Sequence, residues 1–158
     1  MGGPNYDLCY INVLCCYSEW CPHGYIKPSR GLRQGDPLSP YLFLLCAEGL
    51  SALIRKAERE KAIRGIAICR GGPRLSHLFF ADDSVIFCRA SQHDGGALYA
   101  ILKLYERASG QKINEAKRAI FFSKNTPNSI RSDILSMFGT SSSSQFEKYL
   151  GLPPILGR

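Results

Sequence analysis

The stretch Leu75-Ser-His-Leu-Phe-Phe-Ala-Asp-Asp-Ser-Val-Ile-Phe-Cys88 sets two adjacent carboxylates, Asp82 and Asp83, between two runs of strand-forming residues. Asp is depleted in strands and like charges repel, so the pattern predicts a β-hairpin with the acids at its turn. Alternation agrees: Leu78 and Phe80 share one strand face, and Val85 and Phe87 share one face of the return strand. A tight turn closing a buried hairpin holds carboxylates rigidly at a sheet edge, where a divalent cation would let both stay ionised. Taken alone, the dipeptide reads first as an ordinary solvated turn, because Asp is a common turn residue. The surroundings change that weight.

Toward the N-terminus, Pro28-Ser-Arg-Gly-Leu-Arg-Gln-Gly-Asp-Pro-Leu-Ser-Pro-Tyr-Leu-Phe43 is dense in breakers and runs directly into a helix. Ser39 is the expected N-cap, with Pro40 in the first turn, where its missing N–H costs nothing. Helical periodicity follows through Leu42, Leu45, Cys46, Gly49, Leu50, Leu53 and Ala57 to a charged tail, Arg55 to Lys61. A glycine-bearing loop before a helix N-terminus presents backbone N–H groups to an anion, so Gly31 to Gly35 is a candidate phosphate or nucleotide contact, with Arg30, Arg33 and Gln34 as further donors. A plain loop-to-helix connection fits the local chemistry equally well. Before it, Glu19 to Lys27 reads as a turn region, and Tyr6 to Tyr17 is apolar enough to be either a buried helix or a strand.

Between that helix and the acidic hairpin, Gly65-Ile-Ala-Ile-Cys69 is a short strand closed by Arg70-Gly-Gly-Pro73. Beyond the hairpin, residues 94 to 109 form an amphipathic helix with Leu98, Ile101, Leu102, Tyr105 and Ala108 on one face and Gly110 as its stop. Lys112 to Arg118 is basic, Ala119 to Ser123 is a strand, and Asn128 or Ser129 caps a short helix that Gly139 ends. Ser141 to Ser144 reads as a surface connector, and Tyr149-Leu-Gly-Leu-Pro-Pro154 as a last short strand or turn.

At 158 residues, 45% of them hydrophobic and 21% charged, the chain has the composition of one globular domain or part of one. The net charge of +7 comes from the last two thirds of the sequence, which fits a polyanionic partner as well as it fits solvated helix faces. Seven cysteines with no regular spacing read as reduced thiols of an intracellular chain, in the nucleus or cytoplasm. No signal peptide or membrane span is indicated. Cys15, Cys16, Cys21 and His23 raise a zinc-site reading, against which stands the lack of a C-x2-C pair.

The expected order is helix, strand, acidic hairpin, helix, strand. This α+β arrangement is most of a ferredoxin-like βαββαβ sheet with helices on one face, lacking its first strand.

Phe80-Ala-Asp-Asp83 in an apolar hairpin, preceded by Gly31-Leu-Arg-Gln-Gly-Asp-Pro-Leu-Ser-Pro40 and followed by Gly110-Gln-Lys-Ile-Asn114, Lys117 and Tyr149-Leu-Gly-Leu-Pro153, resembles the reverse transcriptase domain of non-LTR (LINE-type) retrotransposons of plants. The four blocks stand in the family's order. The resemblance implies an incomplete polymerase palm: residues 1–27 a remnant of the palm and fingers side, 28–139 the palm core, 140–158 a connector with a primer-grip-like turn. It implies two Mg²⁺ ions, an RNA template, a DNA primer and a dNTP, with nucleotidyl transfer as the reaction.

By the same resemblance Asp82 and Asp83 are metal-binding carboxylates, and Arg33-Gln34-Gly35 touches template and incoming nucleotide. Lys117 takes the place of the residue that protonates pyrophosphate, and Tyr149-Leu150-Gly151 that of the primer grip. The family's other carboxylate comes from a block of the form Phe-Asp-x-x-Lys-Ala-Tyr-Asp on the first palm strand, and this sequence has no such block. The chain therefore reads as a piece from the middle of a longer polyprotein, inactive alone, with an apolar sheet edge left open. Two alternatives are a non-catalytic nucleic-acid-binding remnant of a retroelement and a cysteine-based metal protein.

Overall fold

The computed structural model describes residues 8–14 as backbone, and residues 36–81, 83–115 and 118–140 with their side chains. The chain runs β1 (Leu8–Leu14), α1 (Ser39–Arg59), β2 (Ile66–Ala67), β3 (Arg74–Leu75), β4 (His77–Phe80), β5 (Asp83–Arg89), α2 (Gln92–Ser109), β6 (Ala119–Phe122) and α3 (Asn128–Met137). It is an α+β fold. Four strands form one sheet in the order β4-β5-β1-β6, every neighbouring pair antiparallel, while β2 and β3 make a separate two-stranded ribbon.

The expectation of a sheet without its first strand is corrected. A strand does precede α1, and it lies between β5 and β6 rather than at an edge. The apolar run that left Tyr6 to Tyr17 ambiguous becomes strand over Leu8–Leu14 because β5 and β6 each offer it a row of backbone partners. A buried edge with unpaired N–H and C=O groups is costly, so pairing on both sides settles what local preference does not. The apolar edge expected from a missing first strand is accordingly closed on the β1 side.

Two helix starts also differ from expectation. Leu38, not Ser39, is the N-cap of α1, and Asp36 supplies the acceptors: its Oδ1 takes the Leu38 N–H at 2.8 Å and its carbonyl takes the Ser39 N–H at 3.0 Å. An Asx turn at Asp36 thus starts the helix one residue earlier than the serine signal. At α3 the N-cap is Pro127, so Asn128 is already the first helical residue. The start of α2 follows the ordinary rule, with Ser91 Oγ accepting the Asp94 N–H at 3.1 Å, and Gly110 ends that helix at φ 73°, a left-handed conformation that glycine adopts freely.

The three helices meet the sheet through one apolar core. Leu50, Ile54 and Ala57 of α1, Leu98, Leu102 and Tyr105 of α2 and Ile134 of α3 gather with Ile86 and Cys88 of β5 and Ile120 of β6. The buried members of α1 all lie in its second half, with Cys46 packed partly buried against the core. Leu42 and Leu45, expected on the buried stripe, are 45% and 69% exposed, and Leu38, Tyr41 and Leu44 are exposed beside them. The buried stripe is instead Leu50, Ser51, Ile54 and Ala57.

Expected Gly65 to Cys69 contracts to the two-residue β2, and Leu75 belongs to β3, not to the acidic hairpin. Gly65 is needed there because a Cβ would sit 2.5 Å from the Leu75 carbonyl oxygen. Cys46, Cys69 and Cys88 are not in disulfides among the described residues.

Candidate active site

Strands β4 and β5 form the hairpin read from the sequence, with Phe80 paired to Asp83, Phe79 to Ser84, Leu78 to Val85 and His77 to Ile86. The connection between Phe80 and Asp83 is the two residues Ala81 and Asp82. Two-residue hairpin loops favour positive φ because only that backbone follows the twist of the strands. Ala81 meets the demand at φ 49°, a left-handed conformation that costs a residue with a Cβ about 1 kcal/mol. The strain sits at the tip, next to the acids.

Cross-strand partners point to one face, so Asp83, Phe80, Leu78 and Val85 share a face, while Ile86 and Cys88 face the helical core. Asp83 therefore stands half-buried on the face turned away from the helices, beside Phe80 at 60% exposure and Leu78 at 42%. On its other side β5 is paired with β1, and the position directly across from Asp83 is Leu14.

Under the hairpin His77 ties β4 to α1. Its Nε2 lies 2.9 Å from Ser51 Oγ and its Nδ1 lies 3.1 Å from Ser76 Oγ, and its ring is tilted against Phe79 at 4.8 Å. Ser51 and Ser76 are both buried. Burial first, and then the nearby Arg55 guanidinium, hold the imidazole below its usual pKa, against smaller opposing effects of Glu58 and Glu48. The one advance sign of this contact was a serine interrupting the apolar stripe of α1.

A second buried polar cluster fixes the start of α2. Asp94 accepts the Arg64 N–H at 2.8 Å and the Ser91 hydroxyl at 2.7 Å, and so links the segment after α1 to the helix that follows β5. The Ser91-x-x-Asp94 spacing is a capping signature in the sequence, although it was not singled out there.

At the far end of α2, Glu106 accepts the Ile113 N–H at 3.0 Å and Lys103 Nζ at 2.8 Å. Burial would raise this carboxyl, but the Lys103 and Ile113 hydrogen bonds outweigh it and hold the pKa below the ordinary range. Tyr105 donates to Gln111 Oε1 at 2.5 Å, so the Gly110 to Asn114 block is pinned against the helix from two side chains.

Of the expected site residues the structure thus places Asp83. Asp82, Lys117, Arg33, Gln34, Gly35, Tyr149, Leu150 and Gly151 lie outside the described residues, as do Cys15, Cys16, Cys21 and His23 of the zinc reading. Among the described residues no three His, Cys, Asp or Glu side chains gather in a way that could hold a metal ion. Strand β1, Leu-Cys-Tyr-Ile-Asn-Val-Leu, adds no carboxylate beside Asp83. The described donor set therefore does not fit a pair of divalent cations, each of which requires several oxygen ligands. No described helix is long and apolar enough to cross a membrane.

A family model for reverse transcriptase (RNA-dependent DNA polymerase) matches residues 4–153. An uncharacterized mitochondrial protein of Arabidopsis thaliana is 49% identical over 79 residues, covering 50% of this chain and 64% of that protein. The retrovirus-related Pol polyprotein from the type-1 retrotransposable element R2 of Nasonia vitripennis is 35% identical over 68 residues, covering 43% of this chain and 6% of the polyprotein. The matches thus span less than two thirds of the mitochondrial protein and a small part of the polyprotein.

Proposed function

Because the chain belongs to the reverse transcriptase (RNA-dependent DNA polymerase) family, we propose that it is the central palm portion of an RNA-directed DNA polymerase of a non-LTR retroelement. In this reading residues 28–139 carry the palm core, residues 1–27 include its first strand, and residues 140–158 bear the primer-grip-like turn. The observation that supports it most is the acidic hairpin: a two-residue turn brings Asp83 to the face of the sheet opposite the described helices, in a sheet whose elements follow a βαββαβ order, with β2–β3 as an inserted ribbon. The partners are an RNA template, a DNA primer and a dNTP, met inside the cell in the nucleus or cytoplasm. The basic excess of +7 favours phosphate contacts that are largely independent of sequence.

The proposal includes inactivity of this chain alone. Nucleotidyl transfer by two Mg²⁺ ions needs carboxylates from neighbouring strands, and β1 supplies none next to Asp83. Primer extension on an RNA template with Mg²⁺ and dNTPs tests this: no product above background is expected. Extension that Asp82→Asn abolishes would overturn it.

A second reading, a nucleic-acid-binding remnant without catalysis, is favoured by the same charge. Filter binding of an RNA–DNA hybrid that weakens steeply with salt and is unchanged by Asp82→Asn would select it.

A further inference from the structure

We infer that β1 fills the slot of the catalytic first strand with a strand that carries no carboxylate, and that position 14 is the missing ligand position. The inference rests on the reverse transcriptase reading for what the slot is for, and on the register for where it lies. Leu14 pairs with Asp83, Val13 with Ser84 and Asn12 with Val85, so position 14 is the β1 position directly across from the acid. Directly opposed positions in an antiparallel pair lie about 4.5–5.5 Å apart at Cβ and on one face. Two carboxylates at that spacing can share one divalent cation. A leucine side chain has no oxygen to offer.

The slot is also closed to replacement. Strand β1 is paired along both sides, Leu8–Leu14 with β5 and Cys9–Asn12 with β6, so the backbone groups that would receive a carboxylate-bearing strand are already used. A complementary strand supplied by another chain must first displace this one. Among the described residues, the lack of a carboxylate partner for Asp83 on β1 is therefore built into the sheet.

Mn²⁺, whose free form is read directly by electron paramagnetic resonance, tests the inference on the metal alone. The unmodified chain is expected to take up at most one ion, weakly, and Leu14→Asp to bind Mn²⁺ at least tenfold more tightly. Leu14→Asn should show no gain, and Leu14→Asp combined with Asp83→Asn should lose it. Uptake of two ions by the unmodified chain overturns the inference whether or not the variants fold. So does a folded Leu14→Asp, verified by circular dichroism, that binds no better than the unmodified chain. These outcomes are separate from the function proposed above: loss of RNA–DNA hybrid binding would sink that reading and leave the Mn²⁺ result standing.

Discussion

His77 Nε2 and Ser51 Oγ lie 2.9 Å apart, and through this contact the strand leading to the acidic turn is fastened to the long helix α1. With Ser76 at the other ring nitrogen, the imidazole has a partner on each side and a pKa held below its ordinary value of 6.5, chiefly by burial.

A pH dependence of stability follows. As pH falls through 6.5 the unfolded chain protonates its His77 first, while the folded chain resists until its lower pKa is reached. Stability is full above about pH 6.5, declines as pH falls toward the folded pKa, and is flat with respect to this group below it. Urea unfolding at pH 7.5 and pH 5 should show a smaller loss for His77→Gln than for the unmodified chain. Equal losses in the two proteins would refute the assignment.

Asp94 is buried and accepts hydrogen bonds from the Arg64 backbone and the Ser91 hydroxyl. Removing the acceptor strands those donors, so Asp94→Ala should cost about 2–3 kcal/mol by urea unfolding, and Ser91→Ala about 1 kcal/mol. A change of under about 0.5 kcal/mol for Asp94→Ala would mean that the cluster does not hold the two segments together.

The strained tip of the hairpin is open to a direct check. At Ala81, φ 49° favours glycine, so Ala81→Gly should leave stability unchanged or raise it by up to about 1 kcal/mol, while Ala81→Val should lower it by about 1–2 kcal/mol. The order Gly, Ala, Val in melting temperature is the readout, and the reverse order would argue against the left-handed turn.

The interior position of β1 predicts slow hydrogen exchange across Cys9–Asn12, where the strand is paired on both sides. Ile11 is paired with both Ile86 and Ile120. Proline at that position removes a ladder hydrogen bond from a central strand, so Ile11→Pro should abolish cooperative unfolding. Rapid exchange through residues 8–14 in the unmodified chain would place this strand elsewhere.

The hairpin was legible because its signals are local. Alternation in Leu78 to Phe80 and Val85 to Phe87, with two acids between, leaves one short turn as the only economical path, and Phe80 pairs with Asp83 accordingly. Helix α2 was legible for the same reason, since Gly110 and the spacing of Leu98, Leu102 and Tyr105 lie within the helix or next to it. Signals that compete at short range went astray: Asp36 displaced Ser39 at the start of α1, and Leu42 and Leu45 of the expected stripe are exposed because the buried members of that helix all lie in its second half.

By itself the sequence determined the acidic hairpin, the three helices, the β6 strand and, through blocks in a fixed order, the family. Each of these depends on residues close together in the chain or on the order of motifs. Only the tertiary structure decided that Leu8–Leu14 is a strand inside the sheet, that Leu14 is paired with Asp83, and that His77 and Asp94 link distant segments. The physical reason is that strand pairing and the burial of polar groups are set by partners far away in the chain, from 26 positions for Ser51 and His77 to 81 for Leu8 and Arg89, and no local propensity encodes which of two open edges a short apolar run will close.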